Sequence, residues 1–367
     1  MTLTNHWWQL IWMFLFGGVS LVFIPKQDEI VLGKRETRWH WLPALILVIP
    51  LIIWAAWRPD GFGDTAAYRS SFRNAPSSLV QIWTYMTSVS KDRGYYGFIV
   101  LFKAVVSKDP IVYFLFIATV HAVCLMVVYR KYSNNYWLSI FMFVASTDYM
   151  SWMHNGIRQF VAAAVILTII PLIVKRRYVL ATLLVLLLSQ IHFSAFVFLP
   201  FIFIVNGKAW NWKTILFILG IILLVVFIDT FTDFLTEAME DTAYSGNINF
   251  FGDSDNGTNI LRVLFYSVPM IMSLVFRRYI DYANDPLINV CANLSIVAAG
   301  FYILSHFSSG IIIGRLPIYF SLTNYILVPW LLKEVFNRES ALILTGTFVV
   351  VYSVFFYYQM GITWRLL

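Results

Sequence analysis

The sequence predicts an all-α polytopic membrane protein, and three observations carry that prediction. The 367-residue chain is 60% hydrophobic and 12% charged, with a mean hydropathy of +0.74, whereas a soluble domain carries roughly 25% charged residues. Several apolar runs reach the roughly 17–25 residues that a helix needs to cross a bilayer. None shows the short alternating segments of a barrel strand. The Lys and Arg residues gather at one set of loop ends, as the positive-inside rule requires. The net charge of +7 is therefore explained by membrane orientation rather than by nucleic acid. Residues 1–367 read as a single integral membrane domain, with no room for a sizeable soluble one.

The remaining composition agrees. Cys124 and Cys291 both sit in apolar runs, with neither a disulfide framework nor a zinc spacing. The 14 Trp and 20 Tyr suit interface belts. The N-terminus lacks the basic n-region and small-residue cleavage site of a signal peptide, so the first apolar run reads as a span.

Taken in order, residues 6–24 form the first span and the polar stretch 26–38 a cytoplasmic connection. Residues 41–56 form the second span, bounded by Trp at both ends. Residues 58–94 are a long outer segment with a partly amphipathic piece at 79–89. Residues 95–106 are apolar but too short to span comfortably. Placed in the outer interface or as a re-entrant piece, they let every later basic cluster face inward. Spans then follow at 111–129, 136–153, 158–174, 178–191, 193–205 and 214–228. An acidic outer loop at 229–259 has the length of a lid or binding loop. Further spans lie at 260–276, 287–305, 317–332 and 341–358, with an outer Gly-containing segment at 306–316. The total is about twelve spans with both ends outside. No internal repeat of the kind that marks many transporters stands out.

This topology gathers the unusual polar residues at the outer side. Trp57-Arg58-Pro59-Asp60-Gly61-Phe62-Gly63-Asp64-Thr65 puts one Arg and two Asp at the mouth of the second span, on a turn made by Pro and Gly. Charges beside lipid are costly unless they face a polar cavity or a ligand. Arg158, with Gln159, begins an apolar helix after Gly156. Its planar fork matches phosphate oxygens, and helix-start amides add to the same anion site. His192, before Phe193 and Ser194, is of the residue type that serves as a general base or a phosphate contact. Asp60 and Asp64 share a face if their segment turns helically. Arg315 after Gly314 repeats the logic of Arg158. The structural alternatives are a snorkelling Arg158, a helix-end His192, and a cap plus an exposed carboxylate for the aspartates. Gly-rich P-loop, HExxH and Gly-x-Ser-x-Gly motifs are absent, which argues against nucleotide-driven phosphoanhydride chemistry.

Five stretches together resemble one family. Arg58 to Thr65 with Tyr68 resembles the R…G-D-T/S-x-x-Y element of the EpsG-like branch of Wzy-type polysaccharide polymerases. Arg93-Gly94-Tyr95-Tyr96-Gly97-Phe98 resembles its next element, which usually has an acidic residue before the Gly-Tyr pair; here Asp92 and Arg93 stand there. Gly156-Ile157-Arg158-Gln159-Phe160 resembles its I-R-Q helix start, and Ile191-His192-Phe193-Ser194-Ala195 its I-H-x-S-A turn. Gly314-Arg315-Leu316 with Tyr319 resembles its late R-x-x-x-Y element.

The resemblance implies a glycosyltransferase of the bacterial inner membrane, GT-C-like in architecture. It would polymerise undecaprenyl-pyrophosphate-linked repeat units of O-antigen, capsule or exopolysaccharide at the outer face. Arg58, Arg158 and Arg315 would hold the leaving pyrophosphate, and His192 or Asp64 would take the acceptor proton. Asp60, Tyr68, Arg93, Tyr95, Gln159 and Tyr319 would bind substrate. No metal and no cofactor is expected; the partners implied are the lipid-linked oligosaccharide, the bilayer, a flippase and a chain-length regulator. Other GT-C enzymes and O-antigen ligases share these features. A lipid or solute transporter would instead spread charge through the membrane midplane. An acyltransferase using His192 or His154 would need its donor on the other side.

Overall fold

The structure is a computed structural model that describes residues 5–239 and 257–365. It is about 75% helical, with one two-stranded ladder among the described residues. In chain order the elements are α1 (Trp7–Phe23), β1 (Lys26–Val31), β2 (Lys34–Trp39), α2 (Trp41–Ala56), α3 (Thr65–Asn74), α4 (Ile82–Thr87), α5 (Arg93–Val105), α6 (Pro110–Tyr132) and α7 (Tyr136–Ala145). A π-helical segment, Tyr149–Asn155, leads to α8 (Ile157–Val174) and α9 (Tyr178–Leu188). There follow α10 (Phe201–Ile204), α11 (Trp212–Val226), α12 (Ile228–Met239), α13 (Ile260–Val275), α14 (Arg277–Ala283), α15 (Pro286–His306), α16 (Ile318–Ser321), α17 (Asn324–Val335) and α18 (Arg338–Ile362).

Among the described residues, α6, α8, α15 and α18 are long and apolar enough to cross a membrane; α13 with α14, bent by 64°, would make a fifth. The other expected spans are shorter apolar helices or broken ones. α2 has 16 residues, about 24 Å at 1.5 Å per residue against a hydrocarbon core of about 30 Å. The run at 136–153 breaks after α7, where Thr147 takes a φ of +65°. The run at 193–205 is a 3-10 turn, Phe193–Phe198, followed by the four residues of α10. Both α6 and α15 begin with Pro behind a capping Asp. Asp109 accepts from the Ile111 amide at 2.8 Å and Asp285 from the Leu287 amide at 2.9 Å. Pro loses nothing at a first helical position, and Asp satisfies one of the orphan amides.

The polar stretch 26–38 forms a hairpin. Leu32 and Gly33 both have positive φ (+49° and +87°), the turn geometry that matches strand twist. Lys26 pairs with Trp39 and Val31 with Lys34. Arg130, in the last turn of α6, donates to Glu29 at 2.8 Å and to the Trp39 carbonyl at 2.7 Å. α5 covers the apolar stretch at 95–106; it buries Tyr95, Ile99 and Phe102 and exposes Leu101 and Val105. Lys103 extends from it to the Arg73 carbonyl at 2.9 Å and to that of Ala75, where a cation stabilises the C-terminus of α3. Of the acidic loop at 229–259, the first part is α12; residues 240–256 lie outside the described residues.

The chain divides into two compact units: Met1–Thr168 with Leu188–Phe193 and Phe336–Leu367, and Ile169–Leu187 with Ser194–Val335. In the first, α2 packs along α6, while α1 and α18 both pack on α7. Phe72, Tyr95, Phe102, Tyr113, Phe114 and Ile157 form a buried cluster beneath α3 and α5. The second is built around α15, packed by α11, α13 and α17. Its buried Asn289 and Asn293 accept from the Ala209 and Trp210 amides, each at 2.9 Å, and Asn293 donates to the Val205 carbonyl at 2.9 Å. Satisfied in this way, buried amides fix the 205–210 turn instead of costing stability.

Candidate active site

Asp92 is the residue around which the polar side chains of the first unit converge. It directly precedes α5, the position from which an aspartate ordinarily caps a helix. Yet its side chain makes no cap hydrogen bond, and its backbone is left-handed, φ +56°, a region that Asp tolerates better than most residues. That conformation accompanies a carboxylate turned away from its own helix. Oδ2 accepts from Arg158 Nη1 at 3.0 Å and meets His192 Nδ1 at 3.1 Å. Oδ1 accepts from the Phe193 amide at 2.9 Å. The start of α5, the start of α8 and the turn after α9 are thereby tied to one carboxylate.

The backbone reinforces this junction. The Tyr95 amide donates to the Gln190 carbonyl at 3.2 Å. A Cβ on Gly94 would stand 2.9 Å from both the Gln190 carbonyl oxygen and its Cβ. The glycine of the Gly94-Tyr95 pair is what lets α5 approach the 188–193 turn.

The side chain of Asp92 is 1% exposed, those of Arg158 and His192 24% and 21%. The carboxylate is thus inside and the two cationic or basic groups reach outward. Burial by itself would raise the Asp92 carboxyl. The hydrogen bond and charge of His192, the Phe193 amide and the Arg158 charge outweigh it and hold the group below the ordinary carboxylate value. The Arg158 guanidinium is flanked by three tyrosines, its central carbon 5.5 Å from the Tyr95 ring, 5.7 Å from Tyr68 and 6.0 Å from Tyr96. Tyr95 is itself fixed by the Tyr113 hydroxyl at 2.6 Å. Such ring faces attract a cation and hold its fork in one orientation. A held guanidinium beside an imidazole can bind an anion and accept a proton at adjacent points.

The structure thus brings Arg158, His192, Tyr68 and Tyr95 together around Asp92, and engages the other expected residues elsewhere. Arg58 is 2% exposed; its Nη1 donates to the Met153 carbonyl at 2.8 Å, and its guanidinium lies 4.1 Å from the centre of the Phe114 ring. Asp60 pairs with Arg69 at 2.9 Å. Asp64 is exposed and opens α3 without capping it; its amide donates to Asn155 Oδ1 at 2.8 Å. Arg93 is exposed, with Nε on the Val89 carbonyl at 3.2 Å. Gln159 is buried. In the second unit, the buried Tyr319 shares a hydrogen bond with Ser194 at 2.9 Å, and Arg315 is exposed in the short turn Ile313–Arg315.

Two contributors escaped the sequence reading. Asp92 lies one residue away from the expected place of the acid before Gly-Tyr, which is the signal that points to it. Asn155, which holds the Gly63-Asp64 turn, carries no such signal. His154 is fully buried, with its ring against His6 (5.0 Å), Tyr149 (4.6 Å) and Phe62 (5.3 Å). Burial, with the charges of His6 and Arg58, keeps its pKa well below the ordinary histidine value. Among the described residues, no three His, Cys, Asp or Glu side chains are grouped to hold a metal ion.

A family model described as the EpsG family matches residues 41–362. No curated protein and no solved structure matches the chain.

Proposed function

We propose a specific chemistry for this chain, which belongs to the EpsG family, a Wzy-like polysaccharide polymerase family: it joins undecaprenyl-pyrophosphate-linked repeat units at the outer face of a bacterial inner membrane. The family and the apolar helices make it a multi-pass membrane protein of polysaccharide biosynthesis. In this reading the shorter apolar helices complete a single twelve-span, GT-C-like domain, and the reaction needs no metal.

The observation that carries the proposal is that one buried carboxylate, Asp92, holds Arg158 and His192 side by side. The acceptor hydroxyl of a new lipid-linked unit attacks the anomeric carbon of the growing chain. Its proton passes to His192. The bond from that carbon to the pyrophosphate oxygen breaks, and the electron pair leaves with the pyrophosphate. Arg158 stabilises the charge that develops there. A donor delivered from the bilayer brings its pyrophosphate to headgroup level, where a helix-start arginine such as Arg158 is placed to meet it. Tyr68, Tyr95 and Gln159 support that side of the site. A flippase would supply the lipid-linked unit and a regulator would set chain length.

Deletion of the gene in its host tests the class of reaction. A surface glycan that collapses from a ladder to a single repeat unit is expected. Loss of all capped glycan would point to a ligase or flippase, and an unchanged ladder would overturn the proposal. Arg158→Ala and His192→Ala, expressed at normal levels in the deletion strain, should both fail to restore the ladder.

A further inference from the structure

Asp92 is the most sequestered member of the site and has the most to do there. Its side chain is 1% exposed, too enclosed to touch a sugar or a phosphate. It does not cap the helix it precedes. Three donors on two other segments use its two oxygens: Arg158 Nη1, His192 Nδ1 and the Phe193 amide. An ionised carboxylate only accepts hydrogen bonds, so Nδ1 of His192 carries a proton. In the neutral ring Nε2 is then the acceptor. Nε2 hydrogen-bonds no described residue. A base must present a lone pair to the proton it takes, and a fixed tautomer that leaves Nε2 unengaged does so.

We infer that Asp92 is a positioning residue of the transfer reaction: its Oδ2 fixes the Nδ1–H tautomer of His192 and the orientation of the Arg158 guanidinium, leaving His192 Nε2 to take the acceptor proton. This rests on the roles proposed above for His192 and Arg158. The sharing of one oxygen has a consequence. Arg158 and His192 cannot drift apart without one of them losing its partner, so the anion-holding group and the base keep a constant separation. The Phe193 amide on Oδ1 stops the carboxylate from rotating, and the Tyr95–Gln190 backbone bond stops the turn from lifting off α5. The charged and titratable groups around the pair are Arg158 on α8, Lys91 beside Asp92, and the phenols of Tyr68, Tyr95 and Tyr96 that face Arg158.

The tautomer can be read directly. Nitrogen NMR of ring-labelled histidine in the full-length protein, in lipid nanodiscs, with His192→Gln to assign the signal and with pH raised until the ring is neutral, should show the single ring proton on Nδ1. A neutral ring with its proton on Nε2 would overturn the inference with no variant of Asp92 involved. Kinetics add a second readout, with lipid-linked repeat units isolated from the deletion strain as substrate. Asp92→Asn keeps the shape and removes the charge. It should lower turnover by about 10²–10⁴-fold, the usual worth of a positioned base. It should also move the acidic limb of the pH–rate profile to lower pH, because a carboxylate favours the imidazolium and its loss makes the ring less basic. Asp92→Glu should restore part of the turnover and return the limb towards its original position. Wild-type turnover and an unmoved limb in Asp92→Asn, while His192→Ala makes no polymer, would overturn the role of Asp92 alone. Polymer made by His192→Ala would instead remove the reading on which it rests.

Discussion

Gly63 and Asn155 meet so closely that a Cβ on the glycine would overlap the Asn155 side-chain oxygen. The same oxygen accepts the Asp64 amide at 2.8 Å. The turn that follows α2 is therefore docked onto the residue just before Gly156 and Arg158. Gly63 also has a φ of +50°, so an alanine there meets two costs: about 1–2 kcal/mol for the left-handed backbone and about 1–3 kcal/mol for the overlap. Gly63→Ala should lower the melting temperature and the yield of monodisperse protein. Asn155→Ala removes the overlap along with the hydrogen bond. The double variant should therefore lose less stability than the sum of the two single losses, and strict additivity would deny the contact.

The Gly94 position makes a sharper demand, because what stands opposite is backbone. A methyl group 2.9 Å from the Gln190 carbonyl oxygen has no flexible side chain to push aside. Gly94→Ala should part α5 from the turn that carries His192, at a cost of about 1–3 kcal/mol. Polymer per folded molecule should fall as well, since the Phe193 amide would leave Asp92. Glycan ladders normalised to the amount of folded protein would check this; a destabilised but fully active variant would separate the close approach from the site.

Asp92 also predicts a dependence of stability on pH. Its carboxyl is held below the ordinary carboxylate value, whereas in the unfolded chain it titrates at about 4. As the medium is acidified, the unfolded chain takes up this proton first. The stabilisation is complete above about pH 4 and is lost as pH falls through the lower folded value. Wild type should melt at a higher temperature than Asp92→Asn at neutral pH, and the gap should start to narrow as pH falls below about 4. A gap of constant size across the acid range would mean that Asp92 stabilises by packing rather than by charge.

What the sequence revealed and what it hid follow from the range of each interaction. The Asp109-Pro110 and Asp285-Pro286 helix starts are local, so adjacent residues announce them. Long apolar runs announce α6, α8, α15 and α18 for the same reason. The hairpin at 26–39 escaped because its strands alternate charge with charge instead of apolar with polar. The break before α10 escaped because hydropathy runs through it unchanged, and the break after α7, although marked by Ser146-Thr147-Asp148, is flanked on both sides by apolar residues that read as one run. Within the site, Arg158 and His192 stood out as polar residues at the ends of apolar runs. Asp92 did not, since an aspartate before a helix reads as a cap, and only the fold shows that its carboxylate faces α8 and the His192 turn. Arg58 stood out as strongly as Arg158, and hydropathy alone cannot separate an arginine packed in a core from one that reaches outward.

The two arginines should separate in the test tube. Arg58 lies 4.1 Å over Phe114, with Arg69 5.7 Å from the same ring. Two cations on one ring repel, and the Asp60–Arg69 pair at 2.9 Å offsets part of that repulsion. Arg69 in turn donates to the Arg58 carbonyl at 3.3 Å, so the whole arrangement holds the turn in place. Arg58→Lys gives up the guanidinium fork that reaches the Met153 carbonyl while lying over Phe114, and should cost about 1–3 kcal/mol, the usual cost of leaving a buried hydrogen-bonding group unsatisfied. Turnover per folded molecule should survive. Arg158→Lys keeps a cation within reach of Asp92 but loses the planar fork. It should melt close to wild type and lose most of its polymer. If Arg58→Lys melted like wild type and made no polymer, Arg58 would be touching substrate, and the wall of the site would extend from α8 back to the turn after α2.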